Sequence, residues 1–417
     1  MACAMLLAVT MVLTTTLATG CAQKERHTEA LSEQERLDQL RSLPYAGGMP
    51  AAASAPTGIT QLIADRACAG FRLYTIPLLG RADLITLDGD LVRRWEEPGD
   101  RWERAELLAD GSLVVIGMAG MAASEGGLPG SLIPDSVRYV MKLDATGERL
   151  WQRPLLAHHD ITATAEGELL VITFARRQIP AIDATLETRD DQLTLLGADG
   201  AVLQSRSFYD AVHANPAGFP LQKIGPSDRG ERPWIDLFHT NSLELIAAQT
   251  GPTPNPFLAA NRIIVSVRHQ DRVAVYDWAA DQFVWSWGEG EISGPHDAHV
   301  LQTGNVLLFD NGLGREWSRA VEVDPASGEI VWTWQGSPRE SFYTASKGSA
   351  QRLPNGNTLL AESDRGRALE VTPAGDVVWE FVCPEFVGPE FVGQGKRAAI
   401  VRMTHYSNQF VRTGQAR

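Results

Sequence analysis

The sequence carries little positive charge for its size. Its 417 residues include 37 Lys and Arg against 51 Asp and Glu, which gives a formal net charge of −14. Nucleic-acid-binding proteins usually present a basic face, so this balance argues against that class. It also argues against long-range attraction of an anionic substrate. Any anion site must therefore be built locally, from Arg and His side chains.

Several short catalytic signatures are also missing. We find no glycine-rich nucleotide-binding loop, no zinc-ribbon pair of cysteines and no serine-nucleophile elbow. The composition is otherwise ordinary for a soluble globular protein, with 44 % hydrophobic and 21 % charged residues. We expect no cofactor and no nucleic-acid partner.

The first twenty residues contain no charged side chain. They read MACAMLLAVTMVLTTTLATG, and their apolar part is too short and too rich in Thr for a convincing membrane span. Small residues then precede Cys21, as they do at the cleavage site of a bacterial lipoprotein. We predict a signal peptide over residues 1–20, lipidation of Cys21, and export as a periplasmic or cell-surface lipoprotein. This N-terminal lipid would be the only contact with a membrane.

Residues 21–69 have the composition of a tether. A short helical stretch, EALSEQERLDQLRSL, is followed by AGGMPAAASAPTG, which should be flexible. Two cysteines, Cys68 and Cys383, lie at the two ends of the predicted folded region. Two readings of them stand: a disulfide that ties the ends together in an oxidising compartment, or two ordinary buried thiols.

From about residue 70 one strand-turn-strand pattern recurs along the chain. Six copies are present, such as "MKLDATGERLWQR" from Met141 and "AVEVDPASGEIVWTW" from Ala320, and most end near a Trp. A second hairpin with a turn Gly, such as "HVLQTGNVLLFD", precedes most copies. Two hairpins make one four-stranded antiparallel sheet. The pattern predicts an all-β, six-bladed β-propeller over residues 70–417, with Trp side chains between blades and the C-terminal residues completing the first blade. A Pro- and Gly-rich insertion, about Tyr209 to Arg232, should cover one mouth.

The hairpin turns place histidines at matching positions in successive blades. His159 and His296 each lie eight residues before the Gly of the following turn, and His239 has a similar place in the blade between them. Rotation about the ring axis relates such positions, so these side chains should converge on the central channel. A lone strand histidine is usually structural, but three matched ones favour a site. In the last blade the equivalent residue is Gly348.

Four stretches around these residues form a specific set: "HHDITATAEGELLVIT", "DLFHTNSLEL", "SVRHQDRVAVYDW" and "PHDAHVLQTGNVLLFDNG". They resemble the blade motifs of the bacterial arylsulfotransferase (aryl-sulfate sulfotransferase) family, and the resemblance covers about Gly70 to Phe381. It implies a sulfotransferase that moves a sulfuryl group from an aryl sulfate to a phenol, through a sulfohistidine and without a nucleotide donor. The implied partners are a small-molecule aryl sulfate donor and a phenolic acceptor.

The matched motifs carry roles to individual residues. The resemblance implies that His296 is the nucleophile, that His159 and His239 are further site histidines, and that Arg268 binds the sulfate. Three more residues of the matched motifs are candidates to support the site: Asn241, Asp310 and Asn311. Asp160 and Asp297 each follow a channel histidine and should point to the opposite face of the strand, where we expect them to tie blades together.

Three other functions compete with this interpretation. A non-catalytic propeller that binds a ligand or a protein would share the fold, since fold alone does not set function. A quinone-cofactor dehydrogenase has repeats like "VDPASGEIVWTW", although we see no dedicated calcium or quinone site. His159, His239 and His296 together are enough ligands for a zinc ion, but the positive charge of Arg268 argues against a cation there. Typical family members are also longer, with a separate N-terminal β-domain in place of this tether.

Overall fold

The computed structural model describes residues 48–52, 54–121, 133–226, 233–248, 255–387 and 395–408. The predicted signal peptide and Cys21 lie outside these residues. In the described part the chain forms short antiparallel strands joined by tight turns. No helix of the described residues has the length and apolar character needed to cross a membrane.

The strands form six antiparallel sheets of four or five strands, which we number as blades 1 to 6 in chain order. Two strands precede them, β1 (Gly48–Pro50) and β2 (Gly58–Leu62). Blade 1 contains β3 (Phe71–Ile76), β4 (Arg81–Ile85) and β5 (Leu91–Glu96). Blade 2 contains β6 (Arg101–Leu107), β7 (Leu113–Met118), β8 (Arg138–Leu143) and β9 (Arg149–Pro154). Blade 3 contains β10 (Ala157–Ala163), β11 (Leu169–Gln178), β12 (Glu187–Leu196) and β13 (Val202–Ser207).

The second half of the chain repeats this arrangement. A short strand β14 (Trp234–Asp236) pairs in parallel with β12. Blade 4 contains β15 (Thr240–Leu245), β16 (Ile263–Val267), β17 (Arg272–Asp277) and β18 (Gln282–Trp287). Blade 5 contains β19 (His296–Val300), β20 (Val306–Asp310), β21 (Arg319–Val323) and β22 (Ile330–Gln335). Blade 6 contains β23 (Ser349–Arg352), β24 (Thr358–Glu362), β25 (Arg367–Val371) and β26 (Val377–Val382). Three strands follow: β27 (Phe386–Val387), β28 (Lys396–Ala398) and β29 (Met403–Tyr406).

The first strand of each blade from 2 to 6 contacts its counterpart in the next blade, and β29 closes the cycle between blades 6 and 1. β29 pairs with β3 along its whole length, so the C-terminal strand completes blade 1, as the repeats predicted. β2 adds a fifth strand to the outer edge of blade 6. Residues 58–62, which the sequence placed in the tether, are therefore part of the propeller. β1, also within the predicted tether, pairs with β28 in a small sheet.

Tryptophans join neighbouring blades, as the sequence predicted. The indole of Trp151 in blade 2 donates to Ala198 O in the outer turn of blade 3, at 3.0 Å. Trp334 in blade 5 donates to the carbonyl of Gly375 in blade 6 at 3.1 Å, and Trp379 in blade 6 donates to Leu87 O in blade 1 at 2.8 Å. A buried indole needs such an acceptor for its N–H. The recurring Trp near the end of each repeat is thus a link between blades.

The insertion after blade 3 begins with the one α-helix of the described residues, α1 (Phe208–Ala214). Ser207 caps it, accepting a hydrogen bond from Asp210 N at 3.0 Å. The helix and the following Phe219 pack into a hydrophobic cluster shared by blades 3 and 4. Residues 227–232 of the insertion lie outside the described part. Cys68 and Cys383 are both buried free thiols, the second of the two readings above.

Candidate active site

A cavity lies on the ring axis, where the inner strands converge. Every blade contributes to its wall. The lining residues are Pro77, Arg101, Glu103, His159, Asn241, His296, Lys347, Gly348, Val401 and Arg402. Two of the three predicted channel histidines, His159 and His296, therefore line one cavity, and the third, His239, lies beside them with its ring centroid 4.9 Å from that of His159.

An unusual backbone conformation marks the start of the inner strand in blades 3 to 6. His159, His239, Asp297 and Lys347 have φ values of 62°, 50°, 55° and 58°. Non-glycine residues rarely adopt this left-handed region, which costs of order 1 kcal/mol or more. The inner strands of blades 3, 4 and 5 also shift register at this point. Such irregularities re-aim side chains at the start of a strand, and here they lie beside the cavity.

The ring of His296 is held in one tautomer. Its Nδ1 lies 3.0 Å from Gly294 O and 2.7 Å from Asn311 Oδ1. A carbonyl oxygen accepts only, so Nδ1 carries the hydrogen and donates it. The amide of Asn311 is itself oriented, because its Nδ2 donates to Thr344 O and Lys347 O, each at 2.8 Å. In the neutral ring the lone pair therefore belongs to Nε2.

His296 is also kept neutral. It is buried, with 4 % of its surface exposed. Burial lowers the pKa of its imidazole well below 6.5, and the positive charge of Arg268 lowers it further, against the opposing effect of Asn311 and Gly294. The sequence assigned both Arg268 and Asn311 to this neighbourhood. Arg268 and Asn311 thus shift the pKa of His296 in opposite directions, the first by its charge and the second by a hydrogen bond.

His239 is oriented by a carboxylate. Its Nδ1 lies 2.5 Å from Asp236 Oδ2, so Nδ1 donates to an acceptor that cannot donate back. Burial alone would raise the pKa of Asp236, but His239, Arg189 and His269 hold it well below its ordinary value. Asp236 is therefore a carboxylate. Nε2 of His239 is then the ring nitrogen that can exchange a proton on the cavity side.

His159 rests on a second histidine. Its Nδ1 lies 2.6 Å from Nδ1 of His158, so one of the two must donate. Nε2 of His158 lies 3.4 Å from the carboxylate of Asp191, which favours a hydrogen on that nitrogen. Nδ1 of His158 then accepts, and His159 donates from Nδ1. Burial lowers the pKa of both rings, to about 4 for His158 and well below 6.5 for His159.

Arg268 begins a buried turn between β16 and β17 and is 1 % exposed. Its Nη2 reaches Ala345 O at 3.4 Å, in the loop before blade 6. This loop also supplies the two carbonyls that orient Asn311. The guanidinium and the nucleophile candidate are therefore positioned by the same segment.

The two remaining candidates play different parts. Asn241 lines the cavity, and its Nδ2 donates to Pro295 O at 2.9 Å, immediately before His296. Asp310 does not line the cavity. It accepts from Ser293 N at 3.0 Å and pairs with Arg319 at 2.8 Å, so it holds the loop that leads into His296.

Asp160 and Asp297 tie blades together, as the strand alternation indicated. Arg402, which enters from the segment before β29, places one Nη atom 3.0 Å from Asp160 Oδ2 and the other 3.0 Å from Asp297 Oδ1. Asp160 also pairs with Arg104 of blade 2 at 2.9 Å. Asp297 accepts from Ala350 N of blade 6 at 2.9 Å. One guanidinium thus spans the channel between the residues that follow two site histidines.

A family model described as arylsulfotransferase (ASST) matches residues 137–383, which is well over half of the chain. The chain belongs to the arylsulfotransferase family. The match contains every residue of blades 3 to 5, and so all seven site candidates. Membership of this family indicates sulfuryl transfer. The comparison with curated proteins gave no match.

Solved structures resemble this arylsulfotransferase-family protein only distantly. A Bacteroides caccae protein of unknown function is 12 % identical with a TM-score of 0.48, over 80 % of this chain and 100 % of that one. The Dos1 propeller is 12 % identical with a TM-score of 0.38, over 81 % of this chain and 76 % of its own. AztD of Citrobacter koseri is 13 % identical with a TM-score of 0.37, over 82 % and 99 %. Likenesses at this level do not bear on function.

Four charged residues line the cavity but were not predicted from the sequence: Arg101, Glu103, Lys347 and Arg402. The spacing rule that found His159 would have found one of them, because Glu103 lies eight residues before the turn Gly111 of blade 2. Applied to blade 6, the same spacing rule gives Gly348, which is the residue after Lys347. Arg402 had no such signal, since no hairpin turn follows it.

The potential metal ligands that the structure brings within reach of one ion differ from the three histidines considered from the sequence. Among the described residues, the ligand atoms of Asp236, His239 and His269 lie within 4.8 Å of one another. Arg189 lies 3.8 Å from Asp236 Oδ2, and its positive charge opposes a cation. The hydrogen bond from His239 to Asp236 already gives this cluster a role in orienting the ring.

Proposed function

We propose that the protein is a nucleotide-independent aryl-sulfate sulfotransferase in which Nε2 of His296 receives the sulfuryl group. The observation that carries the proposal is the state of this ring. Two acceptors fix the hydrogen on Nδ1, and burial beside Arg268 keeps the imidazole neutral. A neutral imidazole with its lone pair directed by the protein is a nucleophile at neutral pH.

In the first half-reaction Nε2 attacks the sulfur of the aryl sulfate. The N–S bond forms, the bond from sulfur to the aryl oxygen breaks, and the phenolate leaves with that electron pair. His239, whose Nδ1 donates to the Asp236 carboxylate, gives a proton from Nε2 to the phenolate. In the second half-reaction the acceptor hydroxyl attacks sulfur, the electron pair of the N–S bond returns to His296, and the hydroxyl proton returns to Nε2 of His239.

Positioned charge supports the transferring group. By analogy with phosphoryl transfer, the group in flight spreads negative charge over its three peripheral oxygens. Arg268 offers a permanently charged fork of donors suited to two of them. Asn241 and His159 offer polar groups on the same cavity wall. One well-placed hydrogen-bond donor at such a centre lowers the activation free energy by about 3 kcal/mol.

Two measurements test the proposal. With a nitrophenyl sulfate donor and added phenol, the protein should release nitrophenol at a rate that depends on phenol. His296→Ala should lower this rate at least about 1,000-fold, while His405→Ala, a buried histidine of blade 1 outside the cavity, serves as the matched control. Donor alone should add the mass of one sulfuryl group to the wild-type chain but not to His296→Ala. Equal rates in the two variants, or no turnover with any phenol, would contradict the proposal and favour a ligand-binding propeller.

A further inference from the structure

The guanidinium of Arg101 is buried without a partner. Arg101 begins β6 in blade 2, is 7 % exposed and lines the central cavity. Its Nε is buried and makes no hydrogen bond, and no ion pair joins Arg101 to any residue of the described part. The other arginine that lines the cavity, Arg402, pairs with Asp160 and Asp297. Arg101 therefore stands apart from its neighbours.

Burial of an unpaired cation is strongly unfavourable, so such groups are nearly always paired in folded proteins. The groups around Arg101 do not supply a pair. Glu103 is on the same strand and attracts Arg101 at longer range, but the contact that its carboxylate makes is with Arg138, at 3.9 Å. Lys347 adds a second positive charge, and its ammonium is bound to Asp364 at 3.0 Å. An anion in the cavity would satisfy Arg101.

Arg101 lies on a different wall of the cavity from the proposed centre of sulfuryl transfer. In a ring of six sheets, blades 2 and 5 face each other across the axis, so Arg101 and His296 lie on opposite walls. Burial lowers the pKa of Lys347, and the positive charges of both Arg101 and Arg268 lower it further, so both guanidiniums act on the ammonium of the loop before blade 6. A ligand whose sulfuryl end is at His296 would present its other end to Arg101.

The chemistry of this wall selects the kind of anion. The planar fork of an arginine matches a carboxylate with two parallel hydrogen bonds. The negative charge of Glu103 nearby disfavours a dianion such as a phosphate monoester relative to a monoanion. We propose that Arg101 binds a carboxylate carried by the aryl substrate, at the end of the molecule away from the transferred group. This inference rests on the proposed sulfuryl transfer for the identity of the substrate, but not for the existence of the carboxylate site.

The test compares two acceptors that differ only in charge, 3-(4-hydroxyphenyl)propanoate and its amide, with a nitrophenyl sulfate donor. The wild type should prefer the acid, and Arg101→Met should lower the ratio of the two kcat/KM values about 10- to 100-fold, the worth of a charged hydrogen-bonded pair. Arg101→Lys should keep part of the preference. Arg81→Met, which removes an equally buried arginine of blade 1 that pairs with Asp83 and Glu385 and does not line the cavity, should leave the ratio unchanged.

A binding measurement separates this inference from the proposed function. Calorimetric titration of His296→Ala with the same acid and amide should show tighter binding of the acid, and the double variant with Arg101→Met should lose the difference. If the acid binds more tightly than the amide but the wild type shows no transfer, the carboxylate site stands and the proposed sulfotransferase activity is wrong. Transfer with equal kcat/KM for acid and amide, or an equal ratio in Arg101→Met and wild type, would overturn the carboxylate site alone.

Discussion

Replacing Asn311 tests whether a hydrogen bond sets the state of the nucleophile. Asn311→Leu keeps a side chain of similar length but removes three hydrogen bonds: Oδ1 with Nδ1 of His296 at 2.7 Å, and Nδ2 with Thr344 O and Lys347 O at 2.8 Å each. At about 1 kcal/mol for each buried bond, the free energy of unfolding should fall by about 3 kcal/mol. Urea denaturation followed by circular dichroism measures this.

The effect of Asn311→Leu on catalysis should be moderate, for a reason visible in the structure. Gly294 O still accepts from Nδ1 of His296 at 3.0 Å, so the tautomer is weakened but not lost. Losing one of two orienting partners should lower kcat about 10- to 100-fold. The assay is nitrophenol release at saturating phenol, made at a temperature where the variant is folded.

Asn357 supplies the matched control. It is 4 % exposed, lies in a turn of blade 6, and donates from Nδ2 to Arg66 O at 2.8 Å and to Glu370 at 2.7 Å. Asn357→Leu should lose similar stability and keep wild-type kcat. If the two variants lose the same activity, or Asn311→Leu loses none, the orienting role is wrong. Should Asn311→Leu not fold, Asn311→Asp replaces it: a carboxylate beside Nδ1 should raise the pKa of His296 and move the acid limb of kcat/KM to higher pH.

Three further predictions follow from the cavity and its walls. Because burial and Arg268 lower the pKa of His296, its neutral form persists as pH falls, and the acid limb of kcat/KM for wild type should lie below pH 6.5; a limb at or above 6.5 would contradict this. Gly348→Ala should destabilise the fold by about 1–3 kcal/mol in urea titrations, since the new Cβ would lie 2.5 Å from the ring of Phe309; an unchanged midpoint would refute it. Arg402→Met should lower stability by about 3 kcal/mol, because it leaves two buried aspartates short of a cation; stability equal to wild type would show that the bridge contributes nothing.

The sequence predicted the propeller well because its repeats record contacts that recur. The Trp near the end of the second strand recurs because it contacts a turn of the next blade, to which Trp151 and Trp334 donate a hydrogen bond. The sequence also predicted that the C-terminal residues complete blade 1, and β29 is the strand that does so. β2 was missed, because Gly58–Leu62 is a single outer strand with no hairpin of its own and follows a flexible stretch.

The site was predicted only where a residue type itself suggested chemistry. Matching turns pointed to His159 and His296, and the family motif added Arg268 and Asn311. The same spacing applies to blade 2, but Glu103 and Arg101 there look like ordinary charged residues of a strand. Their significance depends on burial and on the absence of a partner, and neither is visible in a sequence.

The charges of this protein affect an approaching anion differently in solution and at the cavity. Its net charge of −14 opposes the approach of an anion from solution. Around the cavity the balance reverses, because Arg101 and Arg268 are buried and their charges act through a medium of lower dielectric than water. On the proposed function, an anionic aryl substrate is therefore selected by the charges that it meets after entry. A ligand with a sulfuryl group at one end and a carboxylate at the other places one negative charge near each arginine.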